Sequence, residues 1–133
     1  MIPVPVSIRS ELTRRFGADP EALSHFGGGD ASSDGVVYAY PHGSGRRLLK
    51  IMAIPLEKQR RGRLSLDERL RFMHYLGEHG ATVAHPHPSP QGSLYEVVIG
   101  TEHVWVAYTM TPAPGRSMSE HAWDPSFFQN WGQ

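Results

Sequence analysis

The stretch that decides the fold is Arg46-Arg47-Leu48-Leu49-Lys50-Ile51-Met52-Ala53-Ile54. Aliphatic and β-branched residues dominate it, which predicts a β-strand, and a single lysine stands among them. An unpaired ammonium is costly to bury, so Lys50 needs an anionic partner. The identity of that anion is the first functional question.

The strongest helix pattern follows at residues 65–79. Ser65 and Glu68 have the spacing of a capping box, apolar residues recur on one face of the next turns, and Gly80 ends the pattern. Glu68 flanks the apolar face. It is therefore either a partner for the strand lysine or part of the cap, and the sequence leaves both roles open.

Upstream of the lysine strand, the sequence predicts a helix and a hairpin. Residues 7–16 have a helical apolar stripe, a serine at the start and a glycine just past the end. Residues 26–35 are rich in glycine and lead into the strand-type residues 36–40. Backbone N–H groups of such a turn can approach an anion closely, although a plain mobile hairpin is the simpler interpretation of the glycines alone.

A basic run, Lys58-Gln59-Arg60-Arg61-Gly62-Arg63, lies between the lysine strand and the predicted helix. Such a run can hold phosphate or RNA. Lys and Arg are balanced by Asp and Glu at 13 each, so no overall field favours nucleic acid. We therefore predict that residues 55–64 form a solvated loop and that no nucleic acid is bound.

Two histidines alternate with prolines in His85-Pro86-His87-Pro88. Alternate prolines exclude a helix or a central strand, so the segment is predicted to be an extended connection. Metal binding would require a third ligand at a recognisable spacing, and the sequence shows none. We therefore expect no metal site here.

Composition limits the class of protein. A length of 133 residues is enough for one domain with a real core. The absence of cysteine excludes disulfides, thiolate zinc sites and a thiol nucleophile. The first residues lack the basic start and long apolar run of a signal peptide, and no segment approaches a membrane span. We expect a cytoplasmic protein that does not contact membranes.

The C-terminal third adds two strands, at residues 94–99 and 104–110. Residues 1–111 are thus predicted to form an α+β fold, with a five-stranded antiparallel sheet, one main packing helix and an N-terminal helix. Residues 112–133 are predicted to be a linker and the start of another helix. Large aromatics in that tail have little to pack against unless more protein or a partner follows. They are Phe127, Phe128 and Trp131.

The order and spacing of several segments are distinctive. They are the glycine-rich hairpin, Leu48-Leu49-Lys50-Ile51, Tyr75-Leu76-Gly77-Glu78-His79-Gly80, Ala107-Tyr108-Thr109-Met110, Pro114-Gly115 and Phe127-Phe128-Gln129-Asn130-Trp131-Gly132. This set, which spans nearly the whole chain, resembles the N-terminal lobe of the aminoglycoside phosphotransferase-type small-molecule kinases. The resemblance implies a five-stranded antiparallel sheet and one main helix, which hold ATP in a cleft against a larger helical lobe.

The resemblance also implies roles for the strand lysine and a helix glutamate. Lys50 matches the lysine that contacts the α- and β-phosphates of ATP, which would answer the question of its anion. Glu68 is implied to be the glutamate that orients this lysine. Counted back from Phe72 and Leu76, however, the family's glutamate position falls on Arg69. The register of the helix therefore decides whether the ion pair forms.

Further contacts to the nucleotide are implied at the turn, the adenine pocket and the hinge. Asp30 and Asp34, the two acidic groups in the turn, are unfavourable for tight phosphate binding. The implied residues are Gly29, Asp30, Ser33 and Asp34 in the phosphate-covering turn, Val37 and Ile51 at adenine, and the backbone of residues 109–111, with Met110, at the hinge.

Catalysis requires more than these residues. In the resembled family, the catalytic Asp of a His-x-Asp-x-x-x-x-Asn-type loop and the Mg²⁺ ligands belong to the second lobe, and this sequence has no His-x-Asp. We therefore predict no catalytic and no metal-binding residue in this chain. The expected function is the nucleotide-binding lobe of an ATP-dependent phosphotransferase whose acceptor is a small hydroxylated molecule, with Mg²⁺ bound only together with the second lobe.

An alternative function belongs to a different class. The aromatic tail and a sheet edge would suit a non-catalytic binding or regulatory module that docks a protein partner. A homodimer through the tail and the cleft face is a related hypothesis, because both surfaces lack cover in an isolated lobe.

Overall fold

The computed structural model describes residues 2–31, 35–80 and 85–111. Two short 3₁₀ turns, Pro20–Ala22 and Leu56–Lys58, accompany the helices and strands. In chain order, the main elements are α1 (Val6–Arg15), β1 (Ser24–Asp30), β2 (Gly35–His42), β3 (Gly45–Pro55), α2 (Gln59–Glu78), β4 (His85–His87), β5 (Glu96–Ile99) and β6 (His103–Thr111).

The strands form one antiparallel sheet in the order β1-β2-β3-β6-β4. Both β4 and β5 pair with β6, β5 along its first half and β4 at its end, so these two short strands share one edge of the sheet. The sheet is therefore five strands wide, and the predicted α+β fold is confirmed. The predicted extended connection at His85–His87 is an edge strand, where Pro86 is tolerated.

Alternation along β3 divides the core between the two faces of the sheet. Leu48 points to the face covered by α2, where it joins a buried cluster with Leu66 and Leu70. Leu49 points to the opposite face, where it packs in a second cluster with Leu12 of α1. Successive side chains of a strand point to opposite faces, so one strand supplies both clusters. Each helix thus has its own apolar face to cover.

Helix α2 is longer than predicted. It begins at Gln59, so the basic run is helical, and the prediction of a solvated loop over residues 55–64 is wrong. Ser65 and Glu68 lie inside the helix, which excludes the predicted capping box. Gln and Arg are good helix formers, and Gly62 lies where a Cβ would be 3.1 Å from Cγ2 of Ile54. Close packing of the helix on the end of β3 therefore offsets the weak helix propensity of this glycine.

Helix α1 begins one residue earlier than predicted. Its N-cap is Pro5, which makes no side-chain cap hydrogen bond, so Ser7 is not the cap. The short 3₁₀ turn that follows α1 is capped by Asp19, whose carboxylate accepts the backbone N–H of Glu21 at 3.0 Å. Neither difference changes the face that α1 presents, since Leu12 remains fully buried.

Several predictions fall outside the described residues. Ser33 and Asp34 of the turn are among them, as are residues 112–133 with the aromatic tail. The domain boundary, the docking alternative and the homodimer therefore stay predictions. Within the described parts of the chain, neither helix is long and apolar enough to cross a membrane.

Candidate functional site

Lys50 lies in the middle of the sheet. In the strand register it stands between Val37 of β2 and Tyr108 of β6, and it is half-buried. Its alternation with Leu49 and Ile51 places it on the face that α2 covers. The ammonium therefore belongs to a largely apolar face, where an anion is attracted more strongly than in bulk water.

The glycine-rich hairpin between β1 and β2 packs directly against this lysine. Gly35 has φ +87°, and a Cβ on it would lie 2.9 Å from Cε of Lys50. Gly28 has φ +74°, and a Cβ there would lie 2.2 Å from the carbonyl oxygen of Gly35. Only a residue without a side chain permits both the left-handed backbone and these approaches. The two glycines thus bring the hairpin backbone onto the stem of Lys50.

These two glycines differ from the one that sequence reasoning selected. Gly28 and Gly35 have positive φ, whereas Gly29 does not. Nothing in a run of three glycines indicates which one has positive φ, because that depends on the β-bulges between β1 and β2. Gly35 carries a clearer signal, since it directly precedes the apolar residues of β2.

Asp30 fastens the base of the hairpin to the N-terminal segment. Its Oδ1 accepts the backbone N–H of Ile2 at 3.0 Å, and Ala31 N–H donates to the carbonyl of Ile2 at 2.9 Å. At least one oxygen of this carboxylate therefore serves an intramolecular hydrogen bond. This contact gives the acidic residue a structural role beside its predicted place in the turn.

Helix α2 does not present Glu68 to the lysine. Leu66 and Leu70 are the buried residues of this helix, and Glu68 lies roughly 200° around it from Leu66, exposed to solvent. Burial raises the pKa of the Tyr108 hydroxyl to about 12, against the opposing charge of Arg69. The charge of Arg69 thus acts on the Tyr108 hydroxyl, the cross-strand neighbour of Lys50. The helix register turns Glu68 away from the sheet, so this geometry does not support the orienting role, which stays a prediction.

An apolar row lies beside Lys50 on the same face. Ala39, Leu48 and Met110 are partners across three strands, and Val37 stands directly opposite Lys50. The predicted nucleotide contacts of Val37 and Met110 are therefore compatible with this face. Leu48 lies beside them on the same face, although it is not among the predicted site residues. Its signal was available, since residues two apart in a strand share a face.

Ile51 does not belong to this site. It is fully buried in the cluster that packs against α1, on the face opposite to Lys50. A ligand that contacts the lysine cannot reach it, so the predicted adenine contact of Ile51 is wrong. Adjacent strand residues point in opposite directions, which is the physical reason.

The predicted hinge lies at the end of β6. Met110 pairs with both Leu48 and Pro86, whereas Thr111 extends beyond the last pair with β3. His87 hydrogen-bonds to the Thr111 hydroxyl through Nε2. Burial, reinforced by the charge of Arg47, lowers the pKa of His87 to about 4, so this ring is neutral at pH 7. Because Met110 is the last residue of β6 that pairs with β3, the first backbone N–H and carbonyl groups of β6 that can face a ligand on the β3 side belong to Thr111.

Comparison with known proteins supports a kinase-like fold. No protein-family model matches the sequence, and no curated protein is significantly similar to it. Among solved structures, the chain is similar to the amicoumacin kinase hAmiN in complex with AMP-PNP, Ca²⁺ and Ami, with 26% sequence identity and a TM-score of 0.59. The match covers 86% of this chain and 32% of the kinase, so the chain spans about a third of that protein. The described residues have the fold of a kinase-like N-terminal lobe.

Proposed function

We propose that this chain is the N-terminal, nucleotide-binding lobe of an ATP-dependent phosphotransferase that acts on a small hydroxylated molecule. The observation that carries the proposal is the approach of the glycine-rich hairpin to Lys50. The missing Cβ of Gly35 would lie 2.9 Å from Cε of the lysine, so backbone and ammonium meet at one place. Phosphate groups are bound by this combination of backbone N–H groups and a cation.

Phosphoryl transfer depends mainly on positioning and on neutralising charge. This lobe would supply the hairpin backbone and Lys50 for the phosphates. The apolar row of Val37, Leu48 and Met110 would supply a surface for the adenine ring. These three side chains are 4%, 0% and 2% exposed, so a base that binds here must displace part of their cover. Phe26, half-buried against the same cluster, is the side chain that we expect to move.

The proposal makes this chain a binding lobe and not a complete enzyme. The sequence has no His-x-Asp motif, and it spans 32% of the kinase that it resembles in structure. We assign no Mg²⁺ ligand to the described residues of this chain. The catalytic carboxylate, the Mg²⁺ ligands and the acceptor pocket would belong to a second lobe, which leaves the acceptor unassigned within the class of hydroxylated compounds.

Nucleotide binding by the Lys50→Ala variant tests the proposal. A hydrogen bond to a charged group contributes about 1.5–3 kcal/mol. We therefore expect the Kd for AMP-PNP, measured by isothermal titration calorimetry, to rise about 10- to 100-fold. Thermal unfolding of the variant would show that the fold persists.

Two matched variants serve as controls. Lys58→Ala removes an exposed lysine that lies outside the site, and Glu68→Gln removes the carboxylate that α2 turns towards solvent. Both should bind AMP-PNP with the affinity of the original chain. Equal affinities for the original chain and Lys50→Ala would refute the proposed site, and so would a failure of the original chain to bind AMP-PNP.

A further inference from the structure

A cluster of metal-ligating side chains lies where the C-terminal end of α2 meets β4. His74 and Glu78 are one turn apart on the helix, and Nε2 of His74 is 3.3 Å from Oε1 of Glu78. His85, the first residue of β4, completes the group, and one ligand atom from each residue lies within 4.8 Å of the others. None of the three residues belongs to the proposed nucleotide site.

Ring contacts hold His85 in place at this junction. The rings of His74 and His85 meet edge to face, with centroids 5.3 Å apart. On its other side, the His85 ring stacks on His87 at 5.0 Å, with an angle of 6° between the planes. His87 itself bonds to Thr111, so it supports His85 and is not counted as a ligand.

Gly77 allows the imidazole of His85 to approach α2 so closely. A Cβ on this residue would lie 2.3 Å from Nδ1 of His85, which is far inside van der Waals contact. The glycine is one position before Glu78 and three after His74, so it opens the same stretch of helix surface that carries both. The ring therefore rests against the helix at Gly77, with a ligand atom within 4.8 Å of both other donors.

A simpler explanation exists for each part of the cluster. His74 and Glu78 have the spacing of an ordinary surface ion pair, and such pairs are common and weak. That explanation does not account for His85, the third donor. His85 lies on a strand, and its ring can approach the helix because Gly77 has no side chain. Two imidazoles and one carboxylate form the donor set of known zinc sites with an open fourth position.

We propose that His74, Glu78 and His85 bind a divalent transition-metal ion, with Zn²⁺ as the best fit. Tetrahedral zinc with bonds of about 2.0–2.1 Å places its ligand atoms about 3.3 Å apart. The pair on α2 already has this separation, and the other two pairs would have to close from at most 4.8 Å. Imidazole nitrogen favours Zn²⁺ over Mg²⁺ and Ca²⁺, which prefer oxygen ligands. A bound ion would join the end of α2 to the edge of the sheet.

Titration of the chelator-treated full chain with Zn²⁺ tests the proposal. In a parallel titration with Co²⁺, absorption in the visible range is the signature of tetrahedral nitrogen and oxygen ligands. We expect one ion per chain and no competition from Mg²⁺. His74→Ala and His85→Ala should each weaken binding at least ~10-fold, as loss of a ligand removes more than the supporting contacts that change affinity 10- to 100-fold. His42→Ala, an exposed histidine on β2, should bind like the original chain.

Gly77→Ala is the sharpest variant, because it keeps all three ligands and favours the helix. Its methyl group should displace the His85 ring and weaken Zn²⁺ binding about 10-fold or more. Glu78→Gln keeps the shape of an exposed side chain, so it tests the site even if a histidine variant unfolds. The proposal is wrong if the original chain takes up no stoichiometric Zn²⁺, or if the ligand variants bind it as tightly as His42→Ala. Neither result depends on nucleotide binding.

Discussion

Replacing Leu70 with alanine is expected to lower the free energy of unfolding by about 2–5 kcal/mol. Leu70 is 1% exposed and lies in the cluster that joins α2 to the sheet, together with Leu48 and Val106. Truncation removes buried methyl groups and leaves a cavity that the surrounding strands cannot fill, because they are fixed by their hydrogen-bond register. Urea denaturation followed by circular dichroism measures the change.

Leu64→Ala provides the matched control on the same helix. Leu64 is 59% exposed, so its truncation should change the free energy of unfolding by no more than about 0.5 kcal/mol. Similar losses in both variants would mean that α2 does not dock through the Leu66 and Leu70 face. Since that face fixes the positions of Arg69 and His74, such a result would also remove the basis for the placement of both residues.

The sheet could be predicted from the sequence because strand signals are local. Residues 46–54 have the aliphatic and β-branched composition of a strand, and the turns around them contain glycine. Antiparallel neighbours joined by short turns pair with each other, so five strands in sequence imply most of the sheet. The faces of β3 also follow from its sequence, and the alternation of its side chains already places Ile51 on the face opposite to Lys50, away from the predicted adenine contact.

Helix α2 and the histidine cluster could not be predicted in the same way. The start of the helix depends on the packing of Gly62 against Ile54, a contact that sequence periodicity does not reveal. His74 and His85 belong to different elements, and only the docking of α2 beside β4 brings their rings together. Sequence spacing detects ligands within one element, but here two elements supply them.

Replacing Gly28 with alanine should destabilise the hairpin and weaken nucleotide binding together. An L-residue at φ +74° costs roughly 1–2 kcal/mol. The added Cβ would also lie 2.2 Å from the carbonyl oxygen of Gly35, and overpacking of this kind costs about 1–3 kcal/mol. We therefore expect a total loss of about 2–5 kcal/mol in the free energy of unfolding. Urea denaturation and AMP-PNP titration of the same protein would measure both effects.

Two other glycines separate the contributions to this effect. Gly43→Ala also places a methyl group at positive φ, +59°, but nothing lies within 4 Å of it, so only the backbone strain of roughly 1–2 kcal/mol should remain. Gly27→Ala has open space and no positive φ, so it should be close to neutral. A loss in Gly28→Ala no larger than in Gly43→Ala would show that the hairpin does not press on Gly35. Because Gly35 in turn contacts the stem of Lys50, that result would separate the hairpin from the lysine and remove the geometric argument for a phosphate site.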